Sequence, residues 1–130
     1  MEAQNESMDE LSGMILSAAI EVHRKLGPGL LESAYSQVMF YVLTKKGLSV
    51  QKEVPLSIVF DALVIKDAYR IDLLVENKII VEVKSVQAVS DVHKKQLLTY
   101  LRLSDKRLGL LLNFNEVVLR QGISRVANNL

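Results

Sequence analysis

Apolar residues recur at helical spacing in two stretches near the N-terminus of the 130-residue chain. The first stretch predicts a helix over about residues 8–26, and the second predicts a helix over about residues 30–46. Gly27, Pro28 and Gly29 separate them, because glycine favours the C-terminal end of a helix and proline cannot continue it. The expected buried positions are Leu11, Ile15, Ala18, Val22 and Leu26 in the first helix, and Leu31, Ala34, Tyr35, Val38 and Val42 in the second.

The middle of the chain changes to the alternating pattern that is typical of β-strands. Residues 50–54 and 56–60 alternate apolar and polar side chains, and Pro55 between them indicates a bend or a sheet edge. Residues 63–65 predict a short strand or the return of a meander. A third helix is expected from Ser90 or Asp91 to about residue 104.

The C-terminal part contains one continuous apolar run of strand length, residues 108–112. Such a run is typical of a central strand that is buried on both faces. Residues 117–119 and 123–126 flank a turn at Gln121 and Gly122, and together they predict a terminal hairpin. The predicted order is therefore two helices, a strand meander, a helix and a strand that returns to the sheet.

Residues 69–75 and 79–84 predict a β-hairpin whose loop is formed by residues 76–78. Only one register suits the apolar residues of these two strands, because a slip of one residue would turn them to the opposite face. That register gives one uninterrupted apolar face, formed by the pairs Val75 with Ile79, Leu73 with Val81, and Ile71 with Val83.

The polar face of this hairpin carries the strongest indication of function in the sequence. The register places Asp72 directly opposite Glu82, with Lys84 two residues further along the same face. Two carboxylates about 5 Å apart across a sheet repel each other, so selection for stability alone would disfavour the pair. A divalent cation between the two carboxylates would convert this repulsion into a binding site.

Two acids and a lysine in this arrangement suit the hydrolysis of a phosphodiester. The carboxylates can hold a hard cation, which lowers the pKa of a bound water and offsets charge on the phosphate. The lysine can orient the attacking water or stabilise the negative charge of the transition state. The plain structural alternative is that Glu82 and Lys84 are ordinary polar residues of a solvated strand and that Asp72 is a chance neighbour.

Composition narrows the kind of metal site and says less about the substrate. The chain has no cysteine and two histidines, so thiolate zinc sites, disulfide scaffolds and cysteine nucleophiles are excluded. A metal would be bound by oxygen, which favours Mg²⁺ or Mn²⁺. Residues 1–65 carry 5 Lys and Arg against 8 Asp and Glu, whereas residues 66–130 carry 11 against 7. This asymmetry is compatible with a polyanionic substrate, and a solvated surface explains it about equally well.

The length fits a single domain, residues 1–130, of which residues 1–7 are expected to form a flexible tail. About half of the residues are apolar, so we expect the chain to fold alone or as a small homo-oligomer. The polar, acidic N-terminus and the lack of a long apolar run predict neither a signal peptide nor a membrane span. A cytoplasmic location is therefore expected.

Three further polar residues are candidates for the same site. Glu32 falls in the first turn of the second helix, where the helix dipole alone would favour an acid. Gln96 and Tyr100 lie one turn apart on the third helix, which suits a pair that reaches toward a water or a nucleotide. The plain alternative for that pair is a helix flank with a half-buried tyrosine.

Four blocks of the sequence resemble the prokaryotic GxxExxY protein family, in the order in which that family has them. These blocks are residues 20–35, residues 69–74 together with 81–86, residues 96–101, and residues 109–114. The likeness extends over nearly the whole chain. That family is similar to the PD-(D/E)XK nuclease superfamily, so the resemblance implies an α/β fold with a restriction-endonuclease-like core, α-β-β-β-α-β. It also implies a mixed sheet flanked by helices, and an extra N-terminal helix.

The resemblance also implies a set of site residues. Asp72, Glu82 and Lys84 fall on the acid, acid and lysine positions of the superfamily, although Ile71 stands where its name has proline. The implied catalytic set is Glu32, Asp72, Glu82, Lys84, Gln96 and Tyr100, of which Asp72, Glu82 and Glu32 are the implied metal ligands.

These observations lead to one main hypothesis and two alternatives. The main hypothesis is a nuclease that depends on Mg²⁺ or Mn²⁺ and hydrolyses DNA or RNA by attack of a metal-activated water. The first alternative is a catalytically inactive module of the same fold that binds nucleic acid or a protein partner. The second is a homo-oligomeric structural protein with a vestigial site. The intact acid, acid and lysine set favours the enzyme, whereas the lack of a dense basic patch counts against tight binding of nucleic acid.

Overall fold

The structure is a computed structural model that describes residues 2–129 of the chain and the side chains of residues 8–129. Its elements in chain order are α1 (Glu2–Leu26), α2 (Glu32–Lys45), β1 (Val50–Phe60), β2 (Leu63–Val75), β3 (Ile79–Lys84), α3 (Asp91–Ser104), β4 (Leu108–Asn113), a 3₁₀ turn (Leu119–Gly122) and β5 (Ile123–Ala127). The tail predicted for residues 1–7 falls outside the described side chains; the backbone from Glu2 onward is assigned to α1, and Met1 lies outside the described residues. No helix among residues 2–129 has both the length and the apolar character that crossing a membrane requires.

The five strands form one mixed sheet in the order β1-β2-β3-β4-β5. Strands β3 and β4 run parallel, and the other three pairs are antiparallel. Helix α3 connects the parallel pair, as expected because parallel strands need a long crossover. Every residue of β4 is buried, which confirms the prediction of a central strand. The predicted α-β-β-β-α-β core with an extra N-terminal helix is therefore confirmed, and β5 extends it.

The sheet lies between two helical layers, each with its own apolar core. The α1–α2 layer packs on one face, where the buried residues include Ile15, Tyr35, Met39, Leu43, Leu73, Val81 and Leu110. Helix α3 packs on the other face, where they include Leu97, Tyr100, Leu101, Ile71, Leu74, Ile80 and Leu111. The inner strands are covered on both faces for this reason, and side chains at their ends are removed from water.

The buried stripe of α2 differs in part from the prediction. It consists of Tyr35, Met39 and Leu43, whereas Leu31 is 77% exposed because it precedes the first helical residue, Glu32. In α1 the predicted stripe is confirmed except at its last member, since Leu26 is exposed at the end of the helix.

Strands β1 and β2 are longer than the pattern predicted, and they form one extended hairpin. Residues 63–65 are the beginning of β2 and not a separate strand. Pro55 lies within β1, opposite Arg70, and β1 is an outermost strand of the sheet. Proline is tolerated at this position because an edge strand leaves one row of its backbone groups unpaired. The prediction of a sheet edge at Pro55 is confirmed.

The predicted terminal hairpin is wrong. Residues 117–119 do not form a strand, and β5 pairs with β4 from Leu112–Ile123 to Leu108–Ala127. Leu119 is buried and starts the 3₁₀ turn. Gly122 ends this turn so close to β4 that an added Cβ would lie 2.5 Å from the backbone oxygen of Asn113. Apolar alternation could not reveal this close approach, which is possible only with glycine.

Candidate active site

Strands β2 and β3 separate at the two predicted carboxylates. Their ladder runs from Val75–Ile79 to Leu73–Val81, which confirms the predicted register and loop. Beyond that point the carboxylates bridge the strands. The backbone N–H of Asp72 donates to Glu82 Oε2 at 2.8 Å, and the N–H of Val83 donates to Asp72 Oδ2, also at 2.8 Å. Each carboxylate therefore bonds to the opposite strand, and the pair is held side by side.

One detail of the predicted hairpin is wrong. Ile71 does not pair with Val83 in the ladder, and it packs with Leu74 and Ile80 on the α3 face, whereas Leu73 packs on the α1–α2 face. The apolar face is therefore interrupted at Asp72. On the neighbouring strand β1, Glu53 has a φ of 52°, and it is left out of the pairs that join β1 to β2. The register of β1 and β2 is the same on both sides of this residue, since Lys52 pairs with Leu73 and Val54 pairs with Ile71.

Burial and mutual repulsion raise the pKa values of both carboxyl groups. Burial is the main cause of the rise in the pKa of Glu82 to about 8, and the charge of Asp72 adds to it. The pKa of Asp72 is also raised, chiefly by burial, against the opposing effect of the hydrogen bond from Val83. Without a cation, the site therefore favours the protonated forms of these carboxyl groups more than water does. A bound cation would supply the positive charge that favours both ionised forms.

Lys84 supplies positive charge at the same site. It is the last residue of β3, half-buried, and its charge lowers the pKa values of both Asp72 and Glu82. In the parallel register Lys84 lies beside Asn113 of β4, and its backbone oxygen accepts a hydrogen bond from the N–H of Phe114 at 2.9 Å. The backbone of Lys84 is thus hydrogen-bonded to the segment after β4, and the lysine lies next to the acid pair, as the sequence predicted.

Glu32 reaches the end of β3 from the start of α2. Its Oε2 accepts a hydrogen bond from the backbone N–H of Ser85 at 3.1 Å, and Ser85 Oγ donates to the backbone oxygen of Leu30 at 2.8 Å. The charge of Glu32 contributes to the raised pKa values of both Asp72 and Glu82. The third predicted carboxylate therefore faces the same site.

Tyr35 explains how the first turn of α2 is aimed at β3. Gly27 and Gly29 adopt positive φ angles of 69° and 107° and turn the chain sharply between the helices. The Tyr35 hydroxyl donates to the backbone oxygen of Gly27 and accepts the N–H of Leu30 at 3.1 Å, which fixes this turn. The sequence pattern assigned Tyr35 only to the apolar stripe of the second helix. Its role in the turn could have been inferred because a buried tyrosine needs a hydrogen-bond partner for its hydroxyl and a glycine-rich turn lies next to it.

Two more residues support the site, and the sequence did not identify their roles. Phe114 stacks on Tyr35 with ring centroids 4.5 Å apart. The fully buried amide of Asn113 accepts the N–H of Val86 at 3.1 Å and donates to the oxygen of Val86 at 3.0 Å, so it anchors the segment after Lys84. His23 is also buried, and its Nε2 lies 2.7 Å from the backbone oxygen of Glu116.

Helix α3 brings one of its two predicted residues to the carboxylates. Tyr100 is buried, and its pKa is raised to about 12 by burial and then by the charges of Glu82 and Asp72. Its ring lies 5.4 Å from that of Tyr69 of β2. Gln96 lies one turn earlier on the helix and is half-buried, and within residues 8–129 no hydrogen bond holds its side chain. The proximity of Gln96 to the acid pair thus stays a prediction.

The donor chemistry of the site fits a hard cation, although the side chains are not preassembled around one. Within residues 8–129 no three Asp, Glu or His side chains are grouped as a ready-made metal site. Instead, the carboxylates of Asp72, Glu82 and Glu32 accept backbone N–H groups. Each of these carboxylates has a second oxygen, and oxygen atoms are the ligands that Mg²⁺ and Mn²⁺ prefer.

Comparison with known proteins agrees with this arrangement. Residues 9–126 match the family model described as the PD-(D/E)XK nuclease superfamily. No curated protein and no solved structure matches the chain. The match includes α2, α3, strands β1 to β4 and all of β5 but its last residue, and therefore every residue of the site. The chain belongs to the PD-(D/E)XK nuclease superfamily.

Proposed function

We propose that the protein is a nuclease that hydrolyses phosphodiester bonds of DNA or RNA with Mg²⁺ or Mn²⁺ as its cofactor. The observation that carries this proposal is the pair formed by Asp72 and Glu82. Two carboxyl groups are held side by side at a largely buried position by backbone N–H groups, at the cost of mutual repulsion. Superfamily membership gives a nuclease-type function, and the cation and the nucleic acid are our extension of it.

Asp72 and Glu82 would hold the cation, and Glu32 would hold it directly or through water. When bound, the cation supplies the charge that lowers the pKa of a water and stabilises the phosphate. Lys84 would orient the attacking water or stabilise the negative charge that develops on the phosphate. Tyr100, whose raised pKa keeps it protonated, would donate a hydrogen bond near the carboxylates, and Gln96 would act beside it.

A cleavage panel tests this function. Single- and double-stranded DNA and RNA are incubated with the wild-type chain in Mg²⁺, in Mn²⁺ and in a chelator, beside Glu82→Gln to reveal a contaminating nuclease. Glu10→Gln, at an exposed position of α1, serves as the matched control. We expect metal-dependent cleavage by the wild type and by Glu10→Gln only. Cleavage by Glu82→Gln at the wild-type rate, or none on any substrate, would contradict the proposal.

Three narrower expectations also remain proposals. Membership in the GxxExxY family rests on the four blocks of sequence that resemble it. In the first block, Gly29 has a positive φ, Glu32 accepts the N–H of Ser85, and the hydroxyl of Tyr35 donates to the oxygen of Gly27. A cytoplasmic location rests on the sequence alone. The inactive binding module is not favoured, since the acid, acid and lysine set is intact and assembled.

A further inference from the structure

Asn113 is a fully buried polar residue at the end of an otherwise apolar strand. It is the last residue of β4, whose other five residues are leucines and a glycine, and its side chain is 0% exposed. A side-chain amide costs free energy to bury unless its groups are hydrogen-bonded, and an apolar residue at this position would avoid that cost. The hydrogen bonds of Asn113 therefore indicate what the amide does.

The side chain of Asn113 continues the pairing of β3 with β4 beyond the end of their ladder. The last pair of the ladder is Lys84 with Asn113, and the N–H of Phe114 donates to the oxygen of Lys84 at 2.9 Å. Past this pair, Asn113 Oδ1 accepts the N–H of Val86 at 3.1 Å, and Nδ2 donates to the oxygen of Val86 at 3.0 Å. Oδ1 also accepts the N–H of Asn115 at 3.2 Å. The backbone is therefore held on both sides of residue 85.

Ser85 lies between these two fixed points, and its polar groups bond to the start of α2. Its N–H donates to Glu32 Oε2 at 3.1 Å, and its Oγ donates to the backbone oxygen of Leu30 at 2.8 Å. Neighbouring N–H groups thus donate to two different elements, that of Ser85 to α2 and that of Val86 to β4. A displacement of the Val86 backbone would also move the N–H that Glu32 accepts.

We propose that Asn113 is a positioning residue of the nuclease reaction and acts through Ser85 on Glu32. It holds residues 84–86 in place, and so it fixes the N–H group that orients the Glu32 carboxylate, whose charge acts on the acid pair. Asn113 need not touch the cation or the substrate for this role. The inference rests on the proposed function, because Glu32 can be positioned for a reaction only if it takes part in one.

A double-mutant cycle between Asn113→Ser and Glu32→Gln tests the inference. Asn113→Ser removes both hydrogen bonds to Val86, and we expect the cleavage rate to fall roughly 10–100-fold, as for residues that support metal ligands. In the Glu32→Gln background the same change should cost less than about 3-fold, because effects that pass through one residue are not additive. Asn115→Ser, at an exposed position two residues later, is the matched control and should change neither rate.

The outcomes of this cycle distinguish the inference from the proposed function. Asn113→Ser that cleaves at the wild-type rate, or that loses the same factor in both backgrounds, would overturn the positioning role and leave the nuclease function intact. Equal losses are what a purely structural role would give. A wild-type chain that cleaves no substrate with either metal would contradict the nuclease function itself.

Hydrogen exchange of the wild-type chain tests the link without cleavage, and it decides the matter if Asn113→Ser does not fold. The amides of Ser85 and Val86 lie outside the strands, so only their side-chain acceptors can protect them. We expect both amides to exchange much more slowly than those of the exposed residues 87–88. Equally rapid exchange in all four residues would show that Asn113 does not hold the segment.

The folded Asn113→Ser variant gives a sharper result in the same measurement. The amide of Ser85 should lose its protection, although its own acceptor, Glu32, is unchanged. In Asn115→Ser it should stay protected. A Ser85 amide that remains protected in Asn113→Ser would overturn the inference, because Glu32 would then be held without Asn113.

Discussion

The two hairpins that share β2 bury opposite ends of that strand to very different extents. At the β3 end, residues 73–75 are buried between two helical layers and lead to the acid pair. At the β1 end, Leu63, Val64 and Ile65 are exposed, although they are as apolar as the buried end. The apolar sequence alone therefore does not determine which residues of β2 are buried. They are buried where helices cover the strand. The candidate chemistry lies at the covered end, where removal from water raises the pKa values of carboxyl groups.

The change from the exposed part to the buried part of β2 occurs near Asp72. Ile71 packs toward α3 and Leu73 toward α1 and α2, so the strand changes its alternation at the functional residue. The backbone N–H of Asp72 is then free of the ladder and donates to Glu82. The same irregularity that interrupts the apolar face thus creates the bridge that holds the carboxylates together.

The hairpin of β2 and β3, which we call the site hairpin, carries the candidate acids. The largest effect that we expect comes from neutralising these acids. Asp72→Asn and Glu82→Gln keep an oxygen acceptor for the backbone N–H groups but lose the charge that holds a cation. Metal-dependent cleavage should fall by more than the roughly 10²–10³-fold that the loss of one positioned electrostatic group costs. The rise in Tm on addition of Mn²⁺ should disappear, as thermal melts with and without the metal will show.

Without metal, both variants should melt at the wild-type temperature or slightly above it, because each removes a buried carboxyl group whose ionised form is disfavoured by burial and by the neighbouring acid. The assignment would be refuted by a Mn²⁺-induced rise in Tm that survives both substitutions.

A smaller loss, confined to turnover, is expected at the lysine of the same hairpin. Lys84→Ala should lower the cleavage rate by on the order of 10²–10³-fold, because the role proposed for Lys84 is to act on the water and the phosphate. The affinity for Mn²⁺ should change far less, since lysine is not a metal ligand. Lys78→Ala, in the exposed loop of the hairpin, is the matched control. Equal losses of metal affinity and rate would mean that Lys84 mainly shapes the site.

The site hairpin could be predicted closely from the sequence because its constraints are local. The apolar residues on β2 and β3 admit one register, and that register alone placed Asp72 opposite Glu82. The break at Ile71 could not be predicted in this way. It accompanies the packing of Ile71 against α3, which is distant in sequence.

The exposed segment around the turn between β1 and β2 and the terminal strand β5 show where predictions from sequence patterns fail. Apolar alternation in residues 56–65 predicts strands correctly but cannot tell that no helix covers them. The pairing of β5 with β4 depends on a close approach at Gly122, and a turn signal at the same glycine had predicted a local hairpin. Long-range packing decided both outcomes.

A smaller loss of activity is expected at Glu32, whose role separates a site residue from a helix-dipole acid. Glu32→Gln keeps an acceptor for the N–H of Ser85 and removes the charge that acts on Asp72 and Glu82. Cleavage or metal affinity should fall about 10–100-fold, as for residues that support metal ligands. Tm should change little.

Parallel cleavage assays, Mn²⁺ titrations and melts of Glu32→Gln and of the exposed Glu10→Gln distinguish the two roles. A lower Tm with unchanged cleavage and unchanged metal affinity would mean that Glu32 only stabilises the start of α2.

The smallest expected effect is a pH dependence of stability that belongs to the site hairpin. In the folded chain without metal, the pKa of Glu82 is about 8, well above its ordinary value of 4.5. The folded state therefore holds a proton that the unfolded state releases, and stability falls as pH rises from about 4.5 through 8. Asp72 contributes in the same direction, because its pKa is also raised.

The difference in Tm between the wild type and Glu82→Gln isolates this effect from that of other groups. Without metal, the wild type should lose Tm relative to Glu82→Gln by at least a few degrees between pH 5 and 8.5, since a pKa raised by even one unit corresponds to about 1.4 kcal/mol and about 1 kcal/mol moves Tm by roughly 2–8 °C. With Mn²⁺ the trend should reverse, because cation binding needs the ionised carboxylates and becomes stronger as protons leave. Glu10→Gln, at an exposed position of α1, should follow the wild-type pH profile in both series. A difference that does not vary with pH would show that the folded chain does not hold the Glu82 proton.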